Sequence, residues 1–219
     1  KKVFIDEKKF SIFENTHIII AITLNSKSTI YSVFIVVGIS LITFCTTQKS
    51  DINLSHSVGD RIDSLDGVYV FYNGSVSNVE GRNTASDGYN LGQKYQCVEF
   101  VKRYYYEHFN HKMPDSWGHA KSFFDPNISD GKLNKTRNLI QFSMPSTSKP
   151  KKSDLIIFDG TTFNQYGHVA IISEVTDNSI EIIQQNPGRF SGSRANLDIF
   201  FEDGLWSFGN KKVLGWLRK

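Results

Sequence analysis

The chain has 219 residues, 39% of them hydrophobic and 21% charged, which supplies a packed core and excludes wholesale disorder. Its formal charge is +3, and downstream of Cys45 there are 20 Lys and Arg against 19 Asp and Glu. No basic surplus of the kind that nucleic acid demands is present, so no nucleic-acid partner is expected.

The first distinctive stretch is "IYSVFIVVGISLITF" (30–44), which is uncharged and 15 residues long. A membrane-spanning helix needs about 20 apolar residues, whereas a signal-peptide core needs only about 7–15. Residues 1–45 therefore read as a leader with a signal or anchor segment, and the polar 46–60 as a tether to a domain at 61–219. Export to the periplasm or cell envelope is the first reading, and attachment to the membrane through a retained anchor is the second. Lipidation at Cys45 is a third, opposed by the bulk of Phe44 where such sites want a small residue.

Within 61–219, "GVYVFYNG" (67–74) is a β-rich run closed by a turn, and 78–93 reads as loop. From Cys97 to Phe109 the apolar residues Val98, Val101, Tyr105 and Phe109 recur at helical spacing, with charged residues on the other faces. "PDSWGHAKSFFD" (114–125) predicts a second, shorter helix capped by Ser116, and 126–150 predicts surface loops. Strands are expected over 154–160, 168–175 and 179–186, with "TDN" (176–178) as a hairpin turn, and a closing strand over 212–219. Helices followed by an antiparallel meander indicate an α+β fold.

Cys97 is the only cysteine downstream of residue 45, so a structural disulfide is not expected and the thiol is free. A thiol in the first turn of a helix lies near the positive end of the helix dipole, which favours thiolate. Of the six histidines, His168 is the best base, because it opens a strand directly after a glycine. Gln184 or Asn186, late on the next strand, would orient its ring. The backbone N–H of Cys97 and the side chain of Gln96 are the candidate oxyanion donors. Singly, each residue fits an ordinary core or surface role; together, in this order, they describe a thiol hydrolase. No C-x-x-C or H-E-x-x-H spacing occurs, so neither a catalytic metal nor another cofactor is expected.

The segments "YQCVEFVKRY", "PKKSDLIIFDG", "YGHVAIISEV" and "IEIIQQN" resemble the CHAP family of cysteine, histidine-dependent amidohydrolases/peptidases. Within it, "D-x-Y-x-x-G-x-K-x-Q-C-V-E-F" and the terminal "LGW" resemble the amidase half of glutathionylspermidine synthetase/amidases. The resemblance implies a papain-like fold with N-terminal helices packed on an antiparallel β-sheet. It implies Cys97 as nucleophile and His168 as base, with Gln184 standing where the family motif has Glu and Asn186 matching its Asn. It also implies substrate-binding roles for Lys102 and Asp87, with Lys102 holding a substrate carboxylate. The expected activity is amide hydrolysis by a monomer, in peptidoglycan peptides. The alternatives are a small amide of the glutathionylspermidine type, or an inactive wall-binding module.

Overall fold

The computed structural model describes residues 56–188 and 191–219, so the expectations for 1–45 lie outside the described residues. No helix among the described residues is long and apolar enough to cross a membrane. The described residues open with a hairpin of β1 (Arg61–Leu65) and β2 (Val68–Phe71). Its two-residue turn, Asp66 and Gly67, has φ of 49° and 86°, as a tight hairpin of the mirror-image type requires. A second small hairpin, β3 (Arg82–Thr84) and β4 (Asn90–Gln93), occupies the stretch expected to be loop.

Helix α1 (Cys97–Phe109) follows as its spacing predicts. Phe100, Val101, Tyr104 and Tyr105 are buried along one side. The helix ends at Asn110, which adopts a left-handed conformation with φ of 48°. The second expected helix does not form. Only a single 3₁₀ turn, Ala120–Phe123, is present in 114–125, and Ser116 caps nothing. The carbonyls of Asp115, Ser116 and Trp117, which a helix would pair with following N–H groups, accept instead from the side chains of Lys102 and Arg137. Among the described residues, the expectation of several N-terminal helices is therefore corrected to one α-helix preceded by two β-hairpins.

The remainder is one antiparallel sheet. Its strands are β5 (Lys132–Asn134), β6 (Leu139–Ser143), β7 (Leu155–Phe158), β8 (His168–Val175), β9 (Ser179–Ile183), β10 (Arg194–Glu202), β11 (Leu205–Phe208) and β12 (Val213–Arg218). They lie in the order β11-β10-β9-β8-β7-β12-β6-β5. Ser146, just after β6, pairs with Trp206 on β11 and brings distant parts of the sheet together. One face, carrying Leu155, Ile157, Val169, Ile171 and Ile183, packs on α1. The other carries Ile156, Ala170, Ile172, Ile182, Phe208 and Trp216 around a second core. Burial on both faces explains why 155–158 and 169–172 are apolar without alternation. The fold is sheet-rich α+β.

The β5–β6 hairpin lies within 126–150, where richness in Asn, Ser, Lys and Pro predicts surface loops. Gln141 is fully buried. Its amide donates to Asp125 O at 2.8 Å and accepts from Asp125 N and Asn134 Nδ2, both at 3.0 Å. Satisfied in this way, a glutamine occupies a core position at little cost.

Candidate active site

Cys97 is the first residue of α1, half-buried against the core and free. Burial pushes its thiol above the ordinary range, while the N–H groups of Val169, Val98 and Cys97 itself draw it back. The Val169 amide places the thiol beside the start of β8, the strand that His168 opens.

The helix start is tied to the sheet by residues that sequence reasoning missed. Gln185 Nε2 donates to Gln96 O at 3.0 Å and to Glu99 Oε2 at 2.8 Å, and its Oε1 accepts from Phe71 N at 2.8 Å. Glu99 is buried and also receives Arg103 Nε at 2.6 Å and Asn83 Nδ2 at 2.8 Å. The one sequence signal was the i, i+4 spacing of Glu99 and Arg103, which also marks ordinary surface pairs.

His168 Nε2 lies 3.0 Å from Gln184 Oε1. Gln184 Nε2 in turn donates to Gly192 O at 3.0 Å. A carbonyl can only accept, so the amide nitrogen must face Gly192 and the oxygen must face the imidazole. The His168 proton then sits on Nε2, which leaves the Nδ1 lone pair for a substrate-side proton. The register explains why Gln184 reaches the ring. Ile171 pairs with Ile183, so Gln184 continues the strand as a diagonal neighbour of His168, within reach of a long side chain. Strand β9 ends at Ile183, and Asn186 turns away with φ of 52°. Asn186 Nδ2 donates to Gln96 Oε1 at 2.7 Å and Val76 O at 3.0 Å. Of the two candidate orienters, Gln184 meets the ring and Asn186 braces the residue before the cysteine.

Three other expectations change. Gln96 Nε2 donates to Asn78 O at 2.8 Å and Val76 O at 3.3 Å, so its amide nitrogen is committed to the 76–78 loop rather than to an oxyanion. Lys102 is buried, and its ammonium donates to Asn90 O and to Ser116 O at 2.6 Å; both groups are protein carbonyls, so it does not meet substrate. Asp87 accepts from Tyr89 N and Tyr106 Oη, both at 3.0 Å, and pairs with Lys112 at 2.5 Å. Tyr106 is nine residues along α1 from Cys97, roughly 13 Å at 1.5 Å per residue, so Asp87 serves the far part of the helix.

Residues 87–186, which include Cys97, His168 and Gln184, match the family model of the CHAP domain. These residues form a CHAP domain. Trypanothione synthetase of Crithidia fasciculata is 31% identical over 131 residues, covering 58% of this chain and 20% of that protein. The bifunctional glutathionylspermidine synthetase/amidase of Escherichia coli K12 is 30% identical over 148 residues, covering 62% of this chain and 23% of that protein. The chain thus matches about a fifth of each relative's length. Among solved structures, Ly7917 with the hydrolyzing product of MDP aligns at 18% identity and a TM-score of 0.36, over 57% of this chain and 54% of that one. The endolysin LysIME-EF1 aligns at 22% identity and a TM-score of 0.35, over 65% of this chain and 60% of that one.

Burial lowers His168 of the CHAP domain from the ordinary 6.5 to about 4, and the Gln184 hydrogen bond opposes this only in part. The folded histidine refuses a proton that the unfolded chain accepts below about pH 6.5. Stability is therefore full above that pH and is lost as pH falls toward 4. Thermal melts across this window should show that dependence reduced in His168→Gln. An unchanged slope would place the acid sensitivity elsewhere.

Gln184→Ala should lower kcat by about a hundredfold with little change in KM, since the loss of orientation is felt in the transition state. Gln184→Glu replaces a donor with a carboxylate oxygen facing Gly192 O, but adds a charge beside the ring. The His168 titration, followed by NMR, should move upward in that variant. Equal kcat in wild type and Gln184→Ala would remove Gln184 from the site.

Proposed function

We propose that this protein is a cysteine amidase/peptidase that hydrolyses amide bonds in peptidoglycan peptides. The observation that carries the reading is His168, held through Nε2 by Gln184 at 3.0 Å and leaving Nδ1 for the thiol at the adjoining start of α1. Cys97 Sγ attacks the carbonyl carbon as His168 Nδ1 takes the thiol proton. The oxyanion meets the Cys97 N–H, which the helix start leaves without an intrahelical partner. His168 passes its proton to the leaving amine, and the C–N bond breaks to give a thioester. Water, deprotonated by His168, then releases the acid, and the proton returns to sulfur. Gln184 is neutral and does not stabilise an imidazolium as a carboxylate would. The resting pair is therefore thiol and neutral imidazole, and proton transfer accompanies attack.

Peptidoglycan is favoured by the export signal expected from 30–44, because peptides of the wall are the amide polymer outside a bacterial membrane. A second reading, hydrolysis of a glutathionylspermidine-type amide, is favoured by the likeness to the bifunctional synthetase/amidase. The test is digestion of purified sacculi with mass analysis of the fragments, beside glutathionylspermidine as competing substrate and Cys97→Ala as control. New peptide termini in the sacculus digest, absent with the control, are expected. Cleavage of glutathionylspermidine with intact sacculi would reverse the assignment.

A further inference from the structure

Residues 115–122 form a loop held from beneath by two buried cations, neither of which has a carboxylate partner among the described residues. Arg137 donates to Asp115 O at 2.7 Å, Trp117 O at 3.2 Å and Ser122 O at 3.2 Å. Lys102 donates to Ser116 O at 2.6 Å and to Asn90 O. Burying two cations against carbonyls is costly, so this loop is held in place at the expense of desolvation. The loop presents Trp117, 61% exposed, to solvent beside the exposed Asp115, His119 and Lys121.

Arg82 lies over the Trp117 ring, with Cζ 4.5 Å from its centroid. Arg82 Nη1 donates to Asn90 Oδ1 at 2.9 Å, and Asn90 Nδ2 reaches Ser116 O at 2.9 Å, so the stack and its loop are cross-linked. No carboxylate pairs with Arg82 among the described residues. A guanidinium stacked face-on keeps its in-plane edge donors for a ligand, the geometry that suits a carboxylate fork.

The chain connects this stack to the candidate site at both ends. Arg82 pairs with Gln93 across the β3–β4 hairpin, four residues before Cys97. At the other end Lys121 N donates to Tyr166 O at 2.9 Å, two residues before His168, and the His119 ring lies 5.8 Å from Tyr166. The charge around the loop is positive: Arg82 and Arg137 both depress Lys102, which is lowered to about 8 chiefly by burial, and Asp115 is the one carboxylate acting against them.

We infer that Arg82, stacked on Trp117, holds a carboxylate of the substrate at the rim of the Cys97–His168 site, so that this rim accepts an anionic peptide or glycopeptide and disfavours a polyamine conjugate. The inference rests on the amidase reading above and names the substrate chemistry of that site. Arg82 thereby takes the role that the family resemblance implied for Lys102.

The test uses the full chain, wild type and Arg82→Gln, with a muropeptide carrying free stem carboxylates and the same muropeptide with those carboxylates amidated. Wild type should prefer the carboxylate form by roughly ten- to hundredfold in kcat/KM, expressed in KM, as the loss of one charge-assisted hydrogen bond implies. Arg82→Gln should lose that preference while turning over the amidated form as wild type does. Equal losses on both forms, or a preserved preference, would overturn the inference. A second readout needs no substrate: alkylation of Cys97 by anionic iodoacetate against neutral iodoacetamide, located by peptide mass. Arg82→Gln should lower the iodoacetate-to-iodoacetamide rate ratio severalfold, and an unchanged ratio would overturn the role of Arg82. Should neither muropeptide be hydrolysed, the peptidoglycan reading fails and the alkylation ratio alone decides the inference.

Discussion

Cys97→Ala is expected to lower hydrolysis by at least about 10⁴-fold while the protein still folds. The chemical loss is total at the nucleophile, because no other cysteine occurs downstream of residue 45. The structural loss is small. The helix start is held by Gln185 through Gln96 O and Glu99, and none of these bonds involves the sulfur. Removing a half-buried thiol should cost about 1 kcal/mol, so the melting temperature should fall by a few degrees. Sacculus digestion, a thermal melt and iodoacetamide labelling followed by peptide mass together check this. Hydrolysis near the wild-type rate in the variant would show that Cys97 is not the nucleophile. A folded wild type whose Cys97 resists alkylation near neutral pH would instead favour the inactive wall-binding module.

Gly167→Ala should damage both activity and stability. Gly167 has φ of +73°, and a methyl group there would stand 2.4 Å from Phe158 O and 2.9 Å from Lys121 Cβ. The left-handed backbone alone costs a non-glycine residue about 1–3 kcal/mol. The carbonyl contact cannot be relieved by rotating a side chain, because Phe158 O belongs to β7, whose residue Phe158 pairs with His168. Relief must come from moving the start of β8, which carries the His168 ring away from Gln184. We expect the melting temperature to fall by roughly 6–12 °C, from about 3 kcal/mol in a chain of this size. We also expect kcat to drop by at least about tenfold, a misplacement effect. A variant with a wild-type melt and wild-type kcat would mean that the backbone at Gly167 is not constrained as the structure indicates.

Much of this protein is legible along the chain because it depends on near neighbours. The apolar spacing of Val98, Val101, Tyr105 and Phe109 specifies α1 without reference to anything else. Runs such as 155–158 and 168–175 are strand-like over their own length, and "TDN" closes the β8–β9 hairpin. The candidate nucleophile and base were readable for the same reason: a cysteine opens a helix and a histidine opens a strand. The residues that refine the site were not. Gln184 and Asn186 are equivalent in a string of letters, and their roles separate only because β9 stops at Ile183 and Asn186 adopts a left-handed turn. Lys102 looks solvated on a helical wheel, which contains no record of the loop that later covers it. The helix expected over 114–125 fails because its carbonyls are claimed by Lys102 on α1 and Arg137 in the β5–β6 turn. Gln185 bonds Gln96 across 89 residues, and no local pattern encodes that meeting. Periodicity reports what a residue does to its own turn or strand. Partners for buried polar groups are chosen only when the sheet has closed and each donor and acceptor, cut off from water, must take whichever group the topology has brought within 3 Å.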